Sequence, residues 1–339
     1  MTLRERPPEG WDGRIASPML AAGFAEASRY QGYSPFFVEE REDSALVLVR
    51  GICAPVLGPW TRRARVYVNR GDEGFLRSLI ADLRARGVAH VKIGDDVWGM
   101  EQPMGWPRLR PIPEHVFVHD LSLPEPARLA QMRDPIPRHI RRAEREGVAV
   151  GEVQSDDEMQ EFCGLLTETT DRMRRRNVGA VFPEGFFWTI FREMVPRRQA
   201  VFLLARTGST PLAGGVFFLS QDRMTYYHGV STRDRTLTGK QGPTAMFWHA
   251  MRLGQRWGIK TFDMRAVTPT EDPRHPHYSV YAFKRDWGGT LTERYRGEII
   301  LAPVRYYFQE RVLSPAFDIL HPIYMRMVAR RSEAAQVAK

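Results

Sequence analysis

The feature that most constrains the fold is a run of short apolar segments in the second half of the chain. They are rich in β-branched and aromatic residues, and short polar turns separate them: QAVFLLAR (199–206), LAGGVFFLS (212–220) and MTYYHGVS (224–231). Short turns between successive strands favour antiparallel pairing, because a parallel partner needs a long crossover connection. The pattern therefore predicts a three-stranded antiparallel meander.

A helix and two further strands follow this meander. The segment GPTAMFWHAMRLGQRWG (242–258) predicts a helix that ends at Gly258, and IKTFDMRAV (259–267) predicts a strand. A short helix at 278–286 and a strand at 290–301 are predicted next. This is the core element order of acyltransferases of the GNAT type. Mixed α/β units are common, so the order alone leaves the family open.

The first half predicts another mixed α/β unit. Strands are expected at 45–53, 64–70, 88–94 and 116–121, with an amphipathic helix at 72–87. Four prolines between Pro103 and Pro113 predict irregular backbone there. Prolines also mark a junction at 121–137, so we expect two α/β units that meet there, with separate sheets.

Composition limits the class of protein. The chain has 339 residues, 43% hydrophobic and 26% charged, which is the balance of a globular protein. It contains no run of about 18 uncharged apolar residues, as a spanning helix would need, and its N-terminus lacks a signal peptide. Cys53 and Cys163 are too few for a disulfide framework. We expect a cytoplasmic protein that can work at the inner face of the membrane.

Charge and motifs narrow the chemistry further. The net charge of +9 indicates an anionic partner, such as a phosphorylated substrate, an RNA or an anionic membrane surface. The sequence contains no GxxxxGK[ST], HExxH or GxSxG motif. His275 and His277 lie two residues apart without further ligands nearby, so no metal site is predicted.

The loop TRDRTLTGKQGPTA (232–245) is a candidate anion site. It places basic residues and Gly239 just before a helix, where backbone N–H groups and the helix N-terminus favour an anion. In GNAT acyltransferases the loop at this position binds the pyrophosphate of coenzyme A. The usual spacing, [RQ]xxGx[GA], does not fit here, which argues against coenzyme A. A solvated loop before a helix cap is the alternative interpretation.

The segment YAFKRDWGG (281–289) is a candidate catalytic segment. Lys284, between Phe283 and Trp287, would be partly desolvated, which strengthens the local field of its ammonium. Such a cation can stabilise an oxyanion that develops on an acyl carbon. The alternative is an amphipathic helix whose lysine extends to water.

The segment RHIRRAEREG (138–147) predicts a basic helix. Its arginines share one face, at helical spacing: Arg138, Arg141, Arg142 and Arg145. This stripe is a candidate phosphate contact. The alternative is a solvated face paired with Glu144 and Glu146.

Segments along most of the chain carry a family resemblance. In the first half they are GPW (58–60), LIADLRARGVAHVKIGDD (79–96) and VFVHDLSLP (116–124), and in the middle RHIRRAEREGVAV (138–150). In the second half they are YYHGVSTRDR (226–235), WGIKTFDMR (257–265) and FKRDWGG (283–289). Their order and spacing resemble the Fem family of peptidoglycan bridge-forming ligases, which contains FemX, FemA and FemB.

The resemblance implies a fold and an activity. The implied fold class is α/β (α+β), with two tandem GNAT-like acyltransferase domains. We divide the chain into a first domain (1–124), a second domain with the catalytic segment (125–302) and C-terminal helices (303–339) that pack back on the first domain. No charged heptad run exceeds one helix, so no coiled-coil insertion is expected. Family members transfer an aminoacyl group from charged tRNA to an amine on a peptidoglycan precursor, either UDP-MurNAc-pentapeptide or its lipid-linked form, without coenzyme A or another cofactor.

The resemblance also assigns residues. The family's catalytic Phe-Lys pair falls on Phe283 and Lys284. The predicted substrate-binding residues are Arg29, Tyr227, Arg233, Lys240 and Asp263, and the predicted tRNA-binding residues are Arg138, Arg141, Arg142 and Arg145. This chain departs from the family at SRYQG (28–32), where a lysine is frequent, and at FDMRAV (262–267), where glycines are usual. No histidine stands out as a general base, so proximity in the cleft is expected to carry much of the catalysis.

Two other classes of function remain open. One is a GNAT-type N-acyltransferase that uses coenzyme A on a sugar, polyamine or exopolysaccharide precursor. The other is a non-catalytic protein that binds tRNA or a membrane surface. Its basic amphipathic stretch YMRMVARR (324–331) would contact anionic lipid.

Overall fold

The computed structural model of the protein describes residues 2–51, 61–94, 109–176 and 182–313. The strands are β1 (Leu3–Arg4), β2 (Ser34–Glu40), β3 (Asp43–Arg50), β4 (Arg63–Arg70), β5 (His90–Ile93), β6 (Arg110–Asp120), β7 (Val148–Glu152), β8 (Ala200–Thr207), β9 (Thr210–Leu219), β10 (Arg223–Ser231), β11 (Thr261–Val267) and β12 (Thr290–Ile300). The α-helices are α1 (Ala22–Ser28), α2 (Glu73–Ala85), α3 (Glu125–Gln131), α4 (Ile136–Arg145), α5 (Asp156–Arg176), α6 (Glu184–Met194), α7 (Arg235–Thr238), α8 (Gly242–Arg256), α9 (Tyr278–Asp286) and α10 (Pro303–Phe308).

The fold is mixed α/β, as predicted. Within the described residues, twelve strands form one sheet in the order β1-β2-β3-β4-β5-β12-β6-β11-β10-β9-β8-β7. The strands β8, β9 and β10 pair antiparallel, so the predicted meander is confirmed. Two pairs are parallel, β4 with β5 and β10 with β11, and each is joined by a crossover helix, α2 or α8. The same strand–helix–strand unit therefore occurs once in each half of the chain.

The two halves share this sheet because they exchange strands. From the second half, β12 pairs with β5 of the first, and from the first half, β6 pairs with β11 of the second. These two strands also pair with each other. The expectation of two separate sheets is therefore wrong. The exchange covers the edges that β5 and β11 would otherwise leave without partners. The boundaries at residues 124 and 302 stay predictions.

Strand β6 corrects a second expectation. The segment expected to be irregular up to Pro113 becomes a strand at Arg110, and Pro111 and Pro113 lie opposite Gly297 and Tyr295 of β12. Among the described residues, this part of β6 has a partner on one side alone, since its pairing with β11 begins at His115. Where a strand has no second partner, proline is tolerated, because its missing N–H group is not needed for a hydrogen bond.

The described start of the C-terminal segment contacts the first half. Arg63 of β4 donates from Nε to Gln309 Oε1 at 2.9 Å and pairs with Glu310 at 2.8 Å. Arg305 of α10 donates to the carbonyl oxygen of Gly87 at 3.1 Å. Segment 58–60, which carries part of the family resemblance, and segment 324–331, the basic amphipathic stretch, lie outside the described residues. Among the residues described, no helix is long and apolar enough to cross a membrane.

Apolar cores on the two faces position the central strands. One core contains residues from both halves of the chain: Phe24 of α1, Tyr67 of β4, Phe162 of α5, Phe186 of α6 and Phe218 of β9. The core on the opposite face packs α4, α8 and α9 against the sheet. Because the first core joins both halves, the central strands between them are held in fixed positions.

Candidate active site

Helix α9 directs Lys284 into the protein. Only 5% of this residue is exposed. Its Nζ donates to the carbonyl oxygens of Arg265 at 3.0 Å and Ala266 at 2.9 Å. The alternative interpretation of a lysine that extends to water is therefore wrong. The positive charge is fixed against β11, where burial makes it act more strongly than a solvated charge.

The two carbonyls that hold Lys284 belong to a bulge in β11. Between Asp263 and Ala266, β11 has one residue more than its partner β6. Arg265, within the bulge, has a φ of 69°, in the left-handed region that costs a non-glycine residue on the order of 1–3 kcal/mol. The carboxylate of Asp263 accepts a hydrogen bond from the backbone N–H of Arg265 at 2.6 Å, which stabilises this conformation.

Asp263 is fully buried and held by arginines. Its Oδ2 accepts from Nη1 of Arg294 at 2.8 Å and lies 3.4 Å from Nη1 of Arg223. A buried carboxylate requires such partners, because an unpaired charge in the interior is costly. Through these contacts Asp263 stabilises the bulge. Its assignment to substrate binding stays a prediction.

Arg265 is a site residue that the sequence argument missed. Residues Arg223–Thr225 of β10 pair with Thr261–Asp263 of β11, and beyond this point the two strands diverge. The Arg265 side chain crosses this gap: its Nη1 donates to the carbonyl oxygen of Tyr227 at 2.8 Å, and its guanidinium carbon lies 5.5 Å from the Tyr227 ring. The signal available in the sequence was the arginine in FDMRAV, at a place where the family usually has glycines.

Two further side chains beside this gap are buried, those of Tyr227 and His228. Tyr227 is 5% exposed and its ring stacks on Phe218 with centroids 4.3 Å apart, so its assignment to substrate binding stays a prediction. Burial, and secondarily Arg265, lowers the pKa of His228 to about 3. This imidazole stays uncharged at neutral pH and is too weak a base to hold a proton there.

A pocket of about 350 Å³ opens beside α9. Its lining comes from α4 and its N-cap, from β9, from the 232–245 segment with the residue before it, and from α9: Pro135, Ile136, His139, Leu212, Ser231, Thr232, Leu237, Thr238, Gln241, Gly242, Pro243, Thr244, Phe283 and Asp286. Phe283 packs on Phe247 and Trp287, with ring centroids 5.5 and 6.3 Å apart. The fold thus brings the candidate anion loop and the candidate catalytic segment to the same pocket.

The charged residues of the loop point to different neighbours. Arg233 is exposed, and its backbone N–H donates to the Glu168 carboxylate at 2.8 Å. Lys240 is half-buried, and its Nζ donates to the Thr207 hydroxyl at 3.3 Å. Arg29 lies in the first half, where it pairs with Glu26 at 2.7 Å. The substrate-binding roles of Arg29, Arg233 and Lys240 stay predictions.

Helix α4 presents its arginine stripe to solvent. The stripe residues are all exposed: Arg138, Arg141, Arg142 and Arg145. Ile136, Ile140 and Ala143 are buried on the opposite face. Arg142 reaches the candidate anion loop, since a Cβ added at Gly239 would lie 3.3 Å from its Nη2. One residue of the stripe therefore lies against this loop, and the role of the stripe in binding tRNA stays a prediction.

The two glycines after Trp287 are required by packing. Gly288 and Gly289 have φ values of 79° and 78°. A Cβ at Gly288 would lie 2.3 Å from the Gln131 carbonyl oxygen, and one at Gly289 would lie 2.7 Å from that of Val118. Backbone this close leaves no room for a side chain. Glycines here let the chain turn from α9 into β12 and keep Lys284 in place.

Known proteins share this architecture. A sequence profile described as an acetyltransferase (GNAT) domain matches residues 130–284. FemX superposes with a TM-score of 0.66 and 14% identity, covering 92% of this chain and 100% of that chain. L-PGS from Bacillus licheniformis superposes with a TM-score of 0.57 and 14% identity, covering 97% of this chain and 99% of that chain. The C-terminal domain of a proposed lysylphosphatidylglycerol synthetase from Agrobacterium fabrum gives 0.57 and 12%, covering 88% and 96%.

No curated protein matches the sequence. At the identities found, the structural similarity establishes the fold. The chain therefore has the GNAT acyltransferase fold, and resembles FemX in its overall structure.

Proposed function

We propose that the protein is an aminoacyltransferase that moves an amino acid from aminoacyl-tRNA to an amine on the stem peptide of a peptidoglycan precursor. The observation that carries the proposal is the buried ammonium of Lys284, fixed by two carbonyl oxygens of the β11 bulge, while Phe283, the residue before it in α9, lines the pocket. The fold similarity to FemX and to L-PGS supports transfer of an aminoacyl group.

The chemistry needs few groups. The aminoacyl ester of a charged tRNA is already activated, so the acceptor amine attacks its carbonyl carbon directly. A C–N bond forms, the C–O bond to the ribose breaks, and the proton of the amine goes to the departing ribose oxygen or to water. Negative charge develops on the carbonyl oxygen, and Lys284 offers a preorganised positive charge to stabilise it. The precursor and the ester are brought together in the cleft, which supplies the proximity.

The second candidate is a coenzyme A-dependent N-acyltransferase. It is favoured by the match to an acetyltransferase profile and by the pocket at the N-terminus of α8, where an anion would be stabilised. The spacing of the 232–245 loop argues against it.

One experiment separates the two candidates. The protein is incubated with charged tRNA and UDP-MurNAc-pentapeptide, and the mass of the product is measured by mass spectrometry. We expect a precursor heavier by one aminoacyl group. A parallel thermal-shift titration uses acetyl-coenzyme A. A shift with acetyl-coenzyme A and no tRNA-dependent product would overturn the proposal.

The arginine stripe of α4 is proposed to bind the tRNA backbone. Replacing Arg138, Arg141, Arg142 and Arg145 by alanine is expected to weaken tRNA binding at physiological salt by about tenfold or more. It should also reduce the slope of log affinity against log salt by about 3, because each lost phosphate contact removes the release of about one counterion. Fluorescence anisotropy with labelled tRNA over a salt series measures both quantities.

A matched control removes four exposed arginines on the first half of the chain. They are Arg70, Arg77, Arg84 and Arg86. The control variant should keep the salt slope of the wild type within error. If both variants lose the same slope, the stripe is one part of a diffuse basic surface, and its proposed role falls.

A further inference from the structure

Exposed apolar side chains are concentrated on one short helical segment. Among the described residues, eight large apolar side chains are exposed, and four of them lie within nine residues: Val304 (82% exposed), Tyr307 (53%), Phe308 (45%) and Val312 (51%). Single exposed apolar residues are ordinary on a protein surface, whereas a contiguous group marks a surface that contacts another molecule. These four residues, called the α10 face below, therefore indicate a binding surface.

The α10 face is the outer side of the C-terminal helix. Helix α10 continues as a π-helical turn, Gln309–Leu313, and the four residues follow the i, i+3, i+4 and i+8 spacing of one helix face. On the inner side Gln309 is fully buried, and its Oε1 accepts from Arg63. A helix at a protein surface normally turns its apolar side inward and its polar side to water. This helix does the reverse, so packing within one molecule does not explain its apolar residues.

The surface beside the α10 face is basic. Arg305 donates to the carbonyl oxygen of Gly87 at 3.1 Å, so the end of α2 lies against α10. Arg62 in turn donates to the carbonyl oxygen of Arg86 at 2.7 Å. Six arginines and two carboxylates are found in the segments that meet here: 61–63, 82–87 and 303–313.

The two carboxylates of this surface are each paired with an arginine. Asp82 lies 2.9 Å from Arg86, and Glu310 lies 2.8 Å from Arg63. Arg311 belongs to the outer side of the helix, where its guanidinium carbon lies 5.8 Å from the ring centroid of Tyr307. The apolar face is therefore accompanied by an excess of positive charge.

We propose that the α10 face docks on an anionic membrane surface. Apolar side chains beside arginines suit the boundary of a bilayer, because the apolar groups enter the acyl region while the cations meet anionic headgroups. Tyrosine is also enriched at this depth of a membrane. The basic amphipathic stretch 324–331 follows the α10 face in the sequence, so it would add cations on the same side of the chain order.

A second copy of the chain fits this face less well. Contact between two α10 faces would bring two basic surfaces together, and like charges across an interface oppose binding. Four side chains also fall short of the roughly 20 residues on each side of a stable protein interface. An anionic bilayer supplies both the opposite charge and an apolar phase.

Cosedimentation with lipid vesicles tests the inference. The wild type is expected to bind vesicles of phosphatidylglycerol and phosphatidylcholine at least tenfold more strongly than vesicles of phosphatidylcholine alone. The double variant Val304→Ser/Phe308→Ser should bind the mixed vesicles about tenfold more weakly or less, since it removes much of the apolar area that enters the bilayer. Arg311→Gln should weaken binding about fivefold, the scale for one basic residue near an anionic surface.

A matched control removes two exposed apolar residues elsewhere. The control variant is Val280→Ser/Leu291→Ser. Leu291 lies near the start of β12 and α10 follows the end of this strand, so the two are about 30 Å apart along it. The control should bind mixed vesicles as the wild type does. Equal losses in the two double variants, or equal binding of the wild type to neutral and mixed vesicles, would overturn the inference.

Two further measurements identify a different occupant. Because its substituted side chains are exposed, Val304→Ser/Phe308→Ser should melt at the temperature of the wild type. A melting temperature lower by several degrees would mean that another segment of the chain covers the α10 face. Analytical ultracentrifugation without lipid gives the oligomeric state, and a wild-type dimer that this variant dissociates would assign the face to a second copy. Either result overturns the inference.

Docking on a membrane has a consequence for the acceptor. If the proposed function holds, a protein held at an anionic membrane meets the lipid-linked form of the peptidoglycan precursor rather than the UDP-linked form. This consequence rests on the proposed function, whereas the docking itself does not. All readouts here are vesicle binding, melting or sedimentation, so a failed transfer assay leaves them unchanged, and failed docking leaves transfer to the UDP-linked precursor unaffected.

Discussion

Lys284→Met is expected to lower the turnover of aminoacyl transfer by ~10²-fold or more, the scale for loss of one oxyanion donor. Methionine keeps most of the length and packing of the lysine and removes the charge. If the charge acts mainly in the transition state, the affinity for the precursor should change much less than the turnover. Steady-state kinetics with charged tRNA, together with equilibrium binding of the precursor, measure the two effects separately.

Controls for Lys284 must separate catalysis from structure, because its ammonium also holds the β11 bulge. Losing the hydrogen bonds to Arg265 and Ala266 is expected to cost about 1–3 kcal/mol of stability, so unfolding of the variant is measured alongside. Lys284→Arg should restore little turnover, since a planar guanidinium places its charge differently. A well-folded Lys284→Met with near-normal turnover would remove the site assignment.

Asp263→Asn is expected to lower the free energy of unfolding by about 3–5 kcal/mol. The substitution removes the charge that balances Arg294, a residue that is 5% exposed, at the 2.8 Å contact. A buried arginine that loses its carboxylate partner bears more of the cost of its own desolvation. Urea denaturation followed by circular dichroism gives the free energy difference.

The matched control is Asp171→Asn on α5. Its ion pair with Arg174, at 4.0 Å, is solvent-exposed on both sides. Exposed pairs contribute about 0–1 kcal/mol, so the control should be close to the wild type. Adding Arg294→Met to Asp263→Asn should recover part of the lost stability. Equal losses in Asp263→Asn and in the control would mean that the buried pair does not stabilise the bulge.

Elements with a strong local period could be predicted from the sequence. The amphipathic helix predicted at 72–87 corresponds to α2 (Glu73–Ala85), and the meander strands differ from prediction by at most two residues at their ends. In these segments the apolar spacing alone decides between helix and strand. Strand β12 was also expected, but its partners were not, because an apolar period says that a segment is a strand and not which strand it meets.

The site could be predicted in part for a related reason. FKRDWGG carries a recognisable pattern, and the structure places Phe283 at a pocket and Lys284 beside a bulge. Arg265 could not be found this way, because its side chain is placed by a positive φ. Such a conformation is uncommon for a residue other than glycine, so the sequence gives no reason to expect it at an arginine.

The exchanged strands β6 and β12 also determine when the sheet can finish folding during synthesis of the chain. Gly297 pairs with Ile93, so the inner edge of β5 stays open until the residues between them and β12 itself have left the ribosome. Contacts between residues so far apart in sequence close late and slow folding, and open strand edges meanwhile favour association with other chains. We therefore expect neither half to reach its native structure alone, and we expect protection of the nascent first half to raise the yield of active protein.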